Sequence, residues 1–138
     1  MIFIDTDVAI GLRDQDSDTR SRLAELGRVP VISVVTRIEL ENGVNKEPAA
    51  ANYRRRVLDR MLETIAVELF TPADILAYGA IVHDLGYDRR TTLDRLIAAQ
   101  AISRDARLIT RNRRDFERIE GLRLEVWPAP ENFLPPPL

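Results

Sequence analysis

The chain has 138 residues, 45% hydrophobic and 30% charged, with a formal net charge of −2 and no cysteine. That length suits one domain with a core of its own. The missing cysteines exclude disulfides, thiolate nucleophiles and cysteine-held zinc or iron–sulfur centres, and the acidic balance excludes nucleic-acid binding by bulk charge.

In chain order, "MIFID" reads as a short buried strand that stops on Asp5. "TDVAIGLRD" starts a helix, and "SDTRSRLAELGR" is a second one that Gly27 ends. "VPVIS" is a β-branched strand led by Pro30. "VVTRIELENGV" is helical, with Val34, Val35 and Ile38 on one face and Gly43 as its stop. "EPAAANYRRRVLDRMLETI" predicts one long helix with Tyr53, Val57, Leu58, Met61, Leu62 and Ile65 as its apolar stripe. "AVELF" is a third strand. "TPADILAYGAIVHDLG" is a helix capped by Thr71, with Pro72 at its first position and Gly86 at its end. "TTLDRLIAAQAISRD" is an alanine-rich helix, "ARLIT" a fourth strand, "RNRRDFERIE" a short helical turn and "LRLEVW" a fifth strand. The tail "PAPENFLPPPL", from about residue 128, is proline-rich and expected to be extended or mobile.

Five short strands alternating with helices predict an α/β fold with a central, mainly parallel five-stranded sheet, built as a single domain over residues 1–138. No apolar run is long enough to span a bilayer, and "MIFIDTDVAIGLRDQD" lacks a secretory signal's basic start. A cytoplasmic protein without membrane contact is expected.

In such sheets ligands sit outside the carboxyl ends of the strands. Four acids fall near those ends: Asp5, Glu39, Asp94 and Asp115. Each has a bland reading. Thr36-x-x-Glu39 and Thr91-x-x-Asp94 fit capping boxes, Asn112-x-x-Asp115 is a weaker relative, and Asp5 or Asp7 suits an N-cap. A first-turn acid also gains roughly 0.3–1 kcal/mol from the helix dipole. Singly, each is better explained as a cap. Together they crowd one sheet edge, where they repel one another and their pKa values rise. A divalent cation relieves that repulsion, and an all-oxygen set suits Mg²⁺ or Mn²⁺. Such a site serves phosphoryl chemistry. Asn112 and the arginines at 111, 113 and 114 suit a phosphate-bearing substrate. His83, the only histidine, lies mid-helix and cannot form a catalytic pair.

At this point a resemblance enters. "FIDTD", "IELENG", "LDRLIAAQA" and "LITRNRRDFERIEGLRLEVW" occur in the order found in PIN domains, and the chain resembles most closely those of the VapC and FitB toxins of bacterial type II toxin–antitoxin pairs. The resemblance implies a metal-dependent endoribonuclease with Asp5, Glu39, Asp94 and Asp115 as its acidic quartet. Thr6, Thr110, Asn112 and Arg111 would serve ligands, water or phosphate. It also implies a homodimer and a cognate antitoxin whose C-terminal segment blocks the groove. The expected reaction is in-line hydrolysis of an RNA phosphodiester leaving a 5′-phosphate. Asp7 stands where these toxins often carry asparagine, so it either adds a ligand or caps. Arg95 follows Asp94 where an apolar residue is common, so it either binds phosphate or pairs with an acid.

Two other readings compete. "FIDTDVA" resembles the D-x-D-x-T opening of haloacid dehalogenase phosphatases, with Asp5 as nucleophile, but the only lysine, Lys46, lies between two helices rather than after a strand. A non-catalytic acidic metal-binding or interaction module is the second.

Overall fold

The structure is a computed structural model and is described for residues 1–129. The chain runs β1 (Ile2–Ile4), α1 (Thr6–Arg13), α2 (Ser17–Glu25), β2 (Val31–Ser33), α3 (Val34–Asn45), α4 (Ala51–Leu62), β3 (Ala66–Glu68), α5 (Pro72–Leu85), α6 (Thr92–Ser103), β4 (Arg107–Thr110) and β5 (Arg123–Val126). Short 3₁₀ turns precede α4 and α6 and follow β4. The strand order is β3-β2-β1-β4-β5, and every neighbouring pair is parallel.

The central strand explains the architecture. Ile2, Phe3 and Ile4 are all buried, so β1 is covered on both faces, as a strand inside a parallel sheet must be. Alternation divides them. Ile2 and Ile4 join Ile32 and Ile109 in a core closed by Val8 and Ala9 of α1, Leu40 and Val44 of α3, and Leu58 and Met61 of α4. Phe3 and Leu108 join Ile81 of α5, Ile97 and four alanines near or within α6, and Phe116 and Ile119. The outer strands β3 and β5 are only partly buried.

Several boundaries differ from expectation. Gly43 does not stop the third helix, which continues to Asn45. Val44 is buried and Arg54 donates to the Gly43 carbonyl at 2.9 Å, so packing holds the last turn in place. The long helix predicted from residue 47 is split at Pro48 into a 3₁₀ turn (Pro48–Ala50) and α4. Tyr53 and Ile38, expected on apolar faces, are exposed. Gly27 and Gly86 do end helices, at φ 67° and 82°. No helix among the described residues is long and apolar enough to cross a membrane. Most of the proline-rich tail, residues 130–138, lies outside the described residues.

Candidate active site

The carboxyl ends of β1 and β4 lie side by side. The Asp5 amide donates to the Ile109 carbonyl at 2.9 Å, which carries the β1–β4 pairing one residue past the strand. Asp5 thereby becomes the N-cap of α1, its carboxylate accepting from the Thr6 amide at 2.7 Å. The second oxygen accepts from the Thr110 hydroxyl at 2.8 Å, and that hydroxyl in turn accepts from the Asn112 amide at 3.0 Å. Asp5 and Thr110 are both buried.

Glu39 is positioned by a second chain of hydroxyls. The Thr6 hydroxyl donates to Glu39 Oε1 at 2.8 Å and lies 3.0 Å from the Thr36 hydroxyl. A hydroxyl has one proton. With Thr6 giving its proton to Glu39, Thr36 must donate to Thr6. The proposed Thr36–Glu39 capping box does not form: Ser33 caps α3, accepting from the Val35 amide at 3.0 Å. Thr36 is the participant that sequence reasoning assigned to a cap. Its signal was available, since it stands one helical turn before Glu39 and so shares that face.

The other two acids come from the second half of the fold. Asp94 lies in the first turn of α6, and the Thr91 side chain makes no cap there but donates to the Asp88 carbonyl. Asp115 sits in the 3₁₀ turn after β4 and accepts from the Asn112 side-chain amide at 2.6 Å. Burial, then the charges of Asp115 and Glu39, push the Asp94 carboxyl up to about 7, with Asp7 adding to the effect. Burial, then the Asp7 charge, push Asp5 up to about 8 against the hydrogen bonds from Thr110 and Thr6, with a smaller contribution from Asp94. Asp7 is also raised, by burial first, although the Val8 amide donates to it at 2.7 Å and the Arg111 charge opposes the shift. The quartet and Asp7 therefore sense one another across four separate segments of chain.

Asp74 provides a control within the same molecule. It is equally buried, and burial alone would raise its pKa. Hydrogen bonds from Ser103, the Thr71 amide and Arg104 outweigh burial and hold it below the usual range. Among the described residues, by contrast, none of Asp5, Asp7, Glu39, Asp94 or Asp115 pairs with an arginine or lysine. Nor do three acids there stand close enough to form a finished ion cage. The donors are all carboxylate or hydroxyl oxygens, and a hard divalent cation fits that chemistry.

Two arginines go elsewhere. Arg95 is buried and donates to the Gly86 carbonyl at 2.5 Å, tying α6 to the end of α5, and among the described residues it pairs with no acid. Arg111 pairs with none of the five site acids, although its charge is felt at Asp7. Its guanidinium reaches Asp18 at 2.9 Å, Thr19 at 3.2 Å and the Pro128 carbonyl. It also flanks Trp127, as Arg22 does, each 5.8 Å from the ring centre. Arg113 and Arg114 remain exposed beside Asp115.

Comparison with known proteins agrees with this geometry. A family model described as PIN domain matches residues 2–122. The tRNA(fMet)-specific endonuclease VapC of Shigella flexneri is 30% identical over 127 residues, covering 90% of this chain and 96% of the relative. Ribonuclease VapC1 of Rickettsia felis is 30% identical over 129 residues, covering 88% and 92%. Among solved structures, VapBC2 from Rickettsia felis bound to a promoter DNA fragment matches with a TM-score of 0.81 at 26% identity, covering 92% of this chain and 99% of that one. DNA-bound VapBC from Salmonella typhimurium matches with a TM-score of 0.79 at 28% identity, covering 91% and 97%.

Proposed function

Because the chain belongs to the PIN domain family, we propose that it is the toxin of a VapBC-type toxin–antitoxin pair, an endoribonuclease that hydrolyses RNA phosphodiester bonds with a divalent cation. The whole chain works as one domain, in the cytoplasm, as a homodimer restrained by a cognate antitoxin. The observation that carries this reading is that Asp5, Glu39, Asp94 and Asp115 come from four segments to one sheet edge while, among the described residues, none of them pairs with an arginine or lysine; their proximity pushes Asp94 up to about 7. A fold that concentrates unpaired negative charge at a sheet edge is built to receive positive charge there.

Asp5, Glu39, Asp94 and Asp115 would hold Mg²⁺ or Mn²⁺. When bound, such an ion supplies Lewis acidity at the phosphoryl group and lowers the pKa of water. The remaining work belongs to the chain. Thr110 and the Thr6 amide fix both oxygens of Asp5, so it presents a set orientation and not a rotating carboxylate. The Thr36–Thr6 hydroxyl relay aims Glu39. Asn112 does the same for Asp115 from its own 3₁₀ turn. Arg113 and Arg114, exposed on that turn, face the approaching backbone phosphates. Asp7 caps the Val8 amide and adds charge to the centre.

The test is cleavage of defined RNAs by the purified protein with Mn²⁺ and with EDTA, with mapping of the new 5′ ends. Cleavage that needs the metal and leaves 5′-phosphates is expected, as is growth arrest on expression that the neighbouring small protein relieves. Cleavage persisting in EDTA, or folded protein that binds Mn²⁺ and cuts no RNA, would overturn the reading.

A further inference from the structure

Beside the acidic centre a cleft of about 500 Å³ opens along the second half of α3, lined by Glu39, Asn42, Gly43, Asn45 and Lys46 and closed opposite by Leu93 of α6. Resting on the nuclease reading, we propose that this cleft seats the nucleotide adjoining the scissile bond, with Lys46 on its phosphate and Leu93 against its base.

Continuity comes first. Glu39 belongs both to the acidic centre and to the cleft wall, so a strand crossing the centre enters the cleft directly. Size comes second: the volume falls within the roughly 300–1,000 Å³ of small-molecule sites. It is large enough for one splayed nucleotide, which is how single-stranded RNA is read. Charge is the third point. Lys46 is the only lysine in the chain, it is exposed, and among the described residues it makes no ion pair. The nearby arginines are occupied. Arg37 and Arg55 both reach Glu41, and Arg54 is divided between the Gly43 carbonyl and Glu47. Lys46 stands seven residues beyond Glu39, about 10 Å along the helix at ~1.5 Å per residue. That separation places it on a neighbouring phosphate and not on the one being cut.

The other walls suit a nucleoside. Leu93 is 51% exposed although it sits in the first turn of a packed helix, and it offers an apolar surface to a base. Asn45 donates to the Glu41 carbonyl at 3.1 Å, which leaves its own carbonyl oxygen to accept. Asn42 is exposed on the same wall of the cleft. Its side-chain amide can donate to and accept from a base edge.

The experiment compares the parent with Lys46→Ala, Lys46→Gln and Lys46→Arg on an RNA oligonucleotide that the parent cuts, across a salt series. Lys46→Ala and Lys46→Gln should raise KM about three- to tenfold with kcat within about twofold. The dependence of log KM on log salt should flatten by ~0.7, the value of one single-strand phosphate contact. Lys46→Arg should restore the parent KM. A single methylphosphonate linkage beside the cleaved bond should reproduce the loss in the parent and add nothing in Lys46→Ala. Leu93→Ala should weaken base preference at one position next to the cut. Unchanged KM and salt slope in folded Lys46→Ala, while the parent cuts RNA normally, would overturn the cleft and leave the nuclease reading intact. Loss of antitoxin affinity with unchanged RNA kinetics would assign the cleft to the protein partner and overturn the proposal. A parent that neither binds nor cuts RNA would overturn both.

Discussion

Replacing Asp5 with asparagine should abolish cleavage and, without metal, stabilise the protein at alkaline pH. The ordinary aspartate value is 3.8, and burial with the Asp7 charge pushes Asp5 up to about 8. At ~1.4 kcal/mol per pH unit, holding this carboxylate ionised costs the fold of the order of 5 kcal/mol above pH 8. Asparagine removes the charge but also gives something up. It still accepts from the Thr6 amide, yet it turns an NH₂ toward a Thr110 hydroxyl that now donates to Asp5 and already accepts from Asn112. Losing a charge-assisted bond there costs about 1.5–3 kcal/mol. The net gain at pH 8 is therefore about 2–4 kcal/mol, and at about 2–4 °C per kcal/mol the melting temperature in EDTA should rise by roughly 4–16 °C. At pH 5 the parent carboxyl is already protonated in the fold, so the advantage should vanish or reverse. The assay is a pair of melting curves in EDTA at each pH, with RNA cleavage measured in Mn²⁺. A variant no more stable than the parent at pH 8, or one that still cuts RNA, would refute the argument that this strand end stores repulsion for a cation to relieve.

The parent's own pH profile should follow the same logic. Asp5 at about 8 and Asp94 at about 7 keep protons in the fold that the unfolded chain releases near 4, so metal-free stability should fall as pH rises from about 4 to 8. Mn²⁺ should reverse the loss at pH 8, and a flat or rising profile in EDTA would contradict the shifts. Arg111→Met should lower the midpoint of urea melts, since it removes a side chain that joins Asp18, Thr19 and the Pro128 carbonyl and packs on Trp127. Unchanged stability with a raised KM would instead return this arginine to the RNA, as its place in the sequence suggested. Gly11→Ala, ordinarily a helix-stabilising change of about 1 kcal/mol, should destabilise by about 1–3 kcal/mol. Its new Cβ would meet the Thr19 hydroxyl at 2.5 Å, and the bond to Asp16 at 2.8 Å holds that hydroxyl in place. An Ala variant that melts at or above the parent would show that this helix pair gives way.

The strands were readable because each is a short apolar run, and Ile2-Phe3-Ile4 is buried on both faces, so no alternation had to be guessed. Helix faces were less readable. Periodicity locates an apolar stripe but not its partner, which is why Ile38 and Tyr53 emerge into solvent. Gly43 misled because a glycine stops a helix through positive φ, and here tertiary packing keeps it helical. The four acids were visible from strand ends and spacing. Their mutual geometry was not, since the Thr6–Thr36–Glu39 relay and the Arg111 clamp join residues 30 to 93 positions apart. The sequence placed Arg111 among the residues suited to phosphate, and its contacts with Asp18 and Trp127 became visible only in the fold.

The register of β1 against β4 has a consequence for synthesis. Ile2 pairs with Arg107, Phe3 with Leu108 and Ile4 with Ile109, so the middle of the sheet joins segments about a hundred residues apart. Non-local parallel pairing of this kind closes late. On the ribosome, Asp5 emerges about a hundred residues ahead of Thr110, Asn112 and Asp115. A nascent chain therefore carries half of its acids with nothing to orient them. The acidic centre can be completed only once residue 115 has been made, which gives a partner protein translated alongside it an interval to arrive before the first RNA is at risk.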